Sequence, residues 1–238
     1  MYCGLDGVAG SLHDALKQAS AAGGHHSTVA LEKATTLAGS SHLPQLLRSL
    51  INDADAAENC ARSSYLHPLG FHKLMLINAA PVFELRLHVW WPDTPQGVDH
   101  VHDHRFAFAS AVVRGGYNMQ IFQTDPAGLP MHEYREMISP DRGWLLRPVG
   151  PARLGQLTSV SLKPGASYAL AAKALHRVDV TPGELCITLL LRTDDSAGLT
   201  TRVFAEPGQD VPSSIPIKEM SGESYQEQLV ALLSELTR

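Results

Sequence analysis

Residues 71–91 read FHKLMLINAAPVFELRLHVWW, and this stretch sets the fold class. Two apolar-rich runs, Phe71 to Asn78 and Phe83 to Trp91, flank Asn78-Ala79-Ala80-Pro81, a sequence suited to a turn between antiparallel strands. In the second run Arg86 and His88 alternate with Leu85, Leu87 and Val89, the period of a strand with two unlike faces. Downstream, similar runs recur at Val98 to His104, Phe106 to Arg114, Tyr117 to Gln123, His132 to Ile138, Leu154 to Leu162, Ser167 to Ala171, His176 to Val180 and Leu185 to Arg192. Gly115-Gly116, Pro126 to Gly128, Pro164-Gly165 and Pro182-Gly183 punctuate them. About ten short strands at such spacing predict an antiparallel sandwich or barrel, and the lack of strand–helix alternation argues against parallel α/β folds.

Working outward, residues 1–66 read as a helical extension. Ser11 with Asp14 resembles a capping box for a helix through about Ala22, a second pattern covers Val29 to Leu37, and a third starts near Ser41 with Leu46, Leu47, Leu50 and Ile51 on one stripe. The barrel is expected over 67–194, and 195–238 reads as a loop ending in a helix, the whole forming one structural domain. That last helix starts with Ser224 and Glu227 as a capping box, and its stripe of Leu229, Leu232, Leu233 and Leu236 is expected to pack on the barrel or on a second subunit of a homodimer.

Composition limits the partners. The chain has 238 residues, 44% hydrophobic and 18% charged, enough to bury a sizeable core. A net charge of -5 without a basic run speaks against nucleic acid or an anionic membrane surface. No apolar stretch approaches membrane-spanning length, and the first residues lack the pattern of a signal peptide. Three scattered cysteines form neither a disulfide framework nor a zinc motif. The expectation is a soluble, cytoplasmic protein acting on a small molecule.

Histidine is the unusual residue, at 12. In Gly97-Val-Asp-His-Val-His-Asp-His-Arg105, His100, His102 and His104 alternate, so an extended strand would turn all three to one side. Two imidazoles so placed can reach one metal ion at about 2.0–2.2 Å. A third ligand must come from elsewhere, and His176 in Ala-Leu-His-Arg-Val-Asp is the evident supplier. The outer pair of three alternating residues stands about 13–14 Å apart at the backbone, so His100 is expected at the cavity mouth or behind the ligands. Arg105 should point away from the metal as a rim or ion-paired residue. Asp179, three residues after His176, is a candidate for orienting an imidazole.

In these residues the chain resembles the cupin superfamily and, within it, the cysteine-dioxygenase-like enzymes with three histidine ligands. His102-Asp103-His104 followed by Gly115-Gly116 matches the first motif, and Lys163-Pro164-Gly165 followed by Leu175-His176-Arg177-Val178 matches the second. The resemblance covers residues 66–192 and implies a mainly β fold, a cupin-type antiparallel barrel (double-stranded β-helix). It implies a metal on His102, His104 and His176, with Phe108 or Ala109 where the superfamily motif carries a glutamate. Fe(II) is the metal implied; Zn, Ni and Mn suit imidazole as well. The implied activity is that of a mononuclear dioxygenase combining O₂ with a small polar or heteroatom-bearing substrate. The alternative is a non-redox cupin: an isomerase, a lyase or a ligand-binding protein.

The departures bear on specificity. The strand Leu185 to Arg192 ends in arginine rather than tyrosine, and no cysteine stands at Phe108 or Ala109. Where the family grips a substrate carboxylate with arginine, this chain offers Lys73, which lacks the bidentate fork. Cysteine itself is therefore not the expected substrate. Lys73, Arg192, His100 and Arg86 are the candidates for substrate contact.

Overall fold

The computed structural model describes residues 4–21, 26–39, 41–95, 97, 99–139, 143–193 and 198–237. Four helices come first: α1 (Gly4–Ala21), α2 (His26–Ala38), α3 (His42–Ile51) and α4 (Ala54–Ala61). Helix α1 begins well before Ser11, which lies inside it rather than at its cap. Val8, Leu12 and Leu16 recur every fourth residue and are all buried, so the apolar stripe extends the helix toward the N-terminus. At α4 the side chain of Asp53 accepts a hydrogen bond from the Ala56 N–H at 2.9 Å, a true N-cap.

Twelve strands follow: β1 (Tyr65–His67), β2 (Phe71–Ala79), β3 (Phe83–Trp90), β4 (Val101–His102), β5 (Phe108–Arg114), β6 (Tyr117–Ile138), β7 (Trp144–Leu162), β8 (Ser167–Leu170), β9 (Leu175–Val180), β10 (Cys186–Thr193), β11 (Thr201–Ala205) and β12 (Ser214–Ile215). They form two six-stranded antiparallel sheets, ordered β1-β2-β3-β10-β5-β8 and β11-β4-β9-β6-β7-β12. The mainly β, antiparallel architecture is the one expected.

Several boundaries differ, for identifiable reasons. Pro126 to Gly128 does not end a strand. Both Thr124 and Leu129 pair with Leu154, so the segment bulges out of a single long β6, and β7 extends beside it from Trp144. Gly128 fits because its backbone comes so close to that of Leu154 that a Cβ would lie 2.3 Å from the Leu154 carbonyl carbon. The expected strand Val98 to His104 shrinks to Val101–His102, Val98 itself lying outside the described residues. After the barrel the chain is not merely loose: β11 pairs with β4 and β6 and buries Phe204.

Sheet alternation divides the molecule. The side chains of Phe83, Leu85, Leu87 and Val89 on β3, and of Ile187, Leu189 and Leu191 on β10, join Leu12, Leu46, Leu47 and Leu50 of the helices in one core. Their alternates, including Arg86, His88, Thr188 and Arg192, line a cavity on the opposite face. Helix α5 (Gly222–Thr237) closes this core. Ser221, not Ser224, caps it, its Oγ accepting from the Ser224 N–H at 3.2 Å. Tyr225, Leu229 and Leu232 are buried against α3, α4 and β2, so the stripe is satisfied within the chain. The Tyr225 hydroxyl donates to the buried Met75 carbonyl. Tyr225→Phe should cost about 1–2 kcal/mol in chemical denaturation by leaving that acceptor unpaired. A loss under about 0.3 kcal/mol would show that the bond is dispensable. Among the described residues, no helix is long and apolar enough to cross a membrane.

Candidate metal centre

The second sheet brings the three histidines together. His102 of β4 pairs directly with His176 of β9, and β9 is held in turn by β6 through His176 and Ile121. Directly opposed residues place their Cβ atoms about 4.5–5.5 Å apart. His104 lies two residues beyond His102, just past the end of β4. Ring centroids are 4.6 Å apart for His102 and His176, and 5.0 Å apart for His104 and each of the others. One nitrogen from each ring lies within 4.8 Å of the other two.

Orientation is set from behind. Nδ1 of His102 is 2.9 Å from the His100 carbonyl, and Nδ1 of His176 is 3.1 Å from the Ala174 carbonyl. Protonated Nδ1 atoms satisfy both contacts and leave Nε2 free as a metal donor. Donors on one ion at about 2.0–2.1 Å stand roughly 3–3.5 Å apart, so small ring rotations close the trio on a divalent ion. The residues present therefore fit a metal held by three imidazoles, which bind it in their neutral form, so that His102 would give up a proton on binding.

Charge around the trio is uneven. Burial alone disfavours the His102 imidazolium, but the Asp99 carboxylate, with Oδ1 3.4 Å from Nδ1, and the His100 carbonyl lift its pKa to about 9. Burial and the charge of His102 press His176 down to about 3, and burial with the two other imidazoles holds His104 well below the usual range. Asp99 also accepts from the Val178 N–H at 2.8 Å, which ties it to β9. It occupies the place expected for Asp179, which is exposed on the other side of the strand.

The cavity beside the trio measures about 490 Å³. His100 lines it without joining the three-nitrogen cluster. Lys73, Arg86 and Arg192, from β2, β3 and β10, line it as well. Arg105 lines it too. Sequence reasoning missed Glu84, which receives both Arg86 and Arg192, although its place two residues before Arg86 puts it on the same strand face. It also missed Phe106, Tyr168 and Asp99, which follow no recognisable spacing.

No protein-family profile matches the sequence, and no curated protein matches it. Among solved structures the chain is similar to DMSP lyase DddQ from Ruegeria pomeroyi, with 12% identity over 55% of this chain and 50% of that chain and a TM-score of 0.32. It thus spans about half the length of that protein. A further similarity is to the Cnp3 cupin domain of Schizosaccharomyces pombe, with 7% identity, 52% and 60% coverage and a TM-score of 0.31. Another is to an oxalate decarboxylase from Lactobacillus farciminis in its formate complex, with 11% identity, 58% and 32% coverage and a TM-score of 0.35.

Proposed function

We propose that the chain is a cupin-type, metal-dependent oxidoreductase: a dioxygenase that binds Fe(II) through His102, His104 and His176 and acts on a small polar or heteroatom-bearing organic substrate. The observation that carries this reading is the trio itself, three imidazole nitrogens within 4.8 Å of one another and opening on a 490 Å³ cavity. Among the described residues, no carboxylate belongs to the cluster. His102, His104 and His176 would hold the ion through neutral imidazoles, and when bound it would supply one meeting place for an organic donor and O₂.

The chain's own residues do the rest. The His100 and Ala174 carbonyls hold two imidazoles in the tautomer that presents Nε2. The Asp99 carboxylate stands 3.4 Å from Nδ1 of His102, favours positive charge on that ring, and is anchored to β9 by the Val178 N–H. Phe106 and Phe108 pack against the His104 ring, at centroid distances of 5.2 and 5.1 Å, and keep water from that side. Lys73, Arg86, Arg192 and His100 are the side chains offered to polar groups of the substrate.

Metal analysis of anaerobically purified protein, joined to O₂ uptake over thiols, amino acids and aromatic acids, tests the reading. The expected result is about one iron per chain with O₂ consumption triggered by a member of the panel other than L-cysteine. Zinc, nickel or manganese without O₂ uptake would overturn it in favour of Lewis-acid chemistry, and rapid oxidation of L-cysteine would overturn the specificity.

A further inference from the structure

The cavity wall opposite the histidines is graded. β3 turns Glu84, Arg86, His88 and Trp90 into it in succession, each about 6.5–7 Å beyond the last. At the Glu84 end one carboxylate serves two guanidiniums: Arg192 Nη1 lies 2.6 Å from Oε1 and Arg86 Nη1 lies 3.3 Å from Oε2. Both guanidiniums also lie over the Phe106 ring, at 4.7 and 5.4 Å. Arg86 is 7% exposed, and the Nε atoms of both arginines are buried without a hydrogen-bond partner. The Lys73 ammonium stands over Tyr65 at 4.9 Å. Burial first, and then the charge of Arg86, lowers the Lys73 pKa to about 7. Glu136, another carboxylate of the cavity, already accepts from Thr201.

Two guanidiniums against one carboxylate leave a positive charge uncompensated in a largely dry place, which is costly unless an anion joins them. Unpaired Nε–H donors call for the same acceptor, and a carboxylate can take two guanidinium donors at once.

The other end of the wall is flat and aromatic. His67 stacks on Phe71 with centroids 4.2 Å apart and planes 11° apart, and Phe71 meets Trp90 at 4.8 Å. Trp144 lies 4.8 Å from His67. A dry cavity of about 150 Å³ accepts benzene, so 490 Å³ leaves space for a ring and a side chain together.

We infer that the cavity takes an anion with a flat apolar body, an arylalkyl carboxylate or like oxyanion, its charge on Arg86 and Arg192 and its ring along His67, Phe71 and Trp90. This deepens the proposed function, and rests on it only in naming that molecule as the substrate class; the binding needs no metal.

Chelator-treated, metal-free protein titrated with 3-phenylpropanoate, 3-phenylpropan-1-ol and propanoate, followed by tryptophan fluorescence, tests it. The acid should bind at least about tenfold more tightly than either the alcohol or propanoate. Arg192→Gln should weaken the acid about tenfold or more and leave the alcohol unchanged. Arg86→Met should act alike; if so buried a change prevents folding, Arg192, with a side chain 25% exposed, carries the test. Equal affinity for acid and alcohol, parental affinity in Arg192→Gln, or no binding of the acid at about 10 mM would each overturn the inference. Failure of the iron reading would appear separately, in metal content, with the acid still bound.

Discussion

Alanine at His102, His104 or His176 is expected to empty the metal site in each case. Removing a residue behind a ligand already costs about 10- to 100-fold in metal affinity, so removal of a ligand should cost at least about 100-fold. Two imidazoles cannot then retain a labile divalent ion through dialysis against a mild chelator. His100→Ala should keep most of the metal, because its ring stands outside the cluster and only its backbone carbonyl touches His102. Elemental analysis of the four variants, each checked for native circular dichroism, reads the result. If His100→Ala lost the ion while His104→Ala kept it, the ligand set would be displaced by two residues along the chain.

The grouping of His102, His104 and His176 was legible because the spacing of the first two and the strand context of the third can both be read from short stretches of sequence. His102 and His104 stand only two residues apart, which keeps their rings together although β4 ends at His102, and His176 falls at the start of a strand that pairs with β4. The hairpin of β2 and β3 was equally plain, since its turn and its period agree. Other features depend on contacts that no local pattern carries. Pro126 to Gly128 reads as a turn, yet the pairing of β6 with β7 on both sides of it absorbs the segment as a bulge. β11 was missed because it is short, stands between Gly198 and the prolines at 207, 212 and 216, and becomes a strand only by pairing with both β4 and β6. Glu84 lay in view but its role did not: its two arginines come from its own strand and from Arg192, distant in sequence. Asp99 is likewise defined by a meeting with Val178 on another strand.

The largest expected loss of stability comes from Asp103, which lies between His102 and His104 and ties that segment to β11. Its side chain is fully buried, with 0% exposure. Oδ1 accepts from the Arg202 N–H at 2.9 Å and Oδ2 accepts from Arg202 Nε at 2.7 Å, while Lys173 Nζ stands 3.8 Å away. The surrounding backbone is tied in as well: the Asp103 N–H donates to the Arg202 carbonyl at 3.1 Å, and the Lys173 N–H donates to the His104 carbonyl at 3.0 Å. One carboxylate therefore fixes β11 and the Lys173 turn to the segment that presents His102 and His104. Asp103→Ala should cost about 3–5 kcal/mol, because it leaves a backbone donor and a half-buried guanidinium without their acceptor. At roughly 2–4 °C per kcal/mol for a chain of this length, the melting temperature should fall by about 6–20 °C. Asp103→Asn, which keeps one acceptor oxygen and loses the charge, should lose about 1.5–3 kcal/mol. The paired change with Arg202→Ala should fall short of additivity by about 1–3 kcal/mol, since the second substitution removes the group that the first left unpaired. Thermal and chemical denaturation of the metal-free proteins measures all three. A melting temperature for Asp103→Ala within about 2 °C of the parent, or full additivity with Arg202→Ala, would mean that water replaces the carboxylate at little cost and that the ligand segment is held by its strand pairing alone.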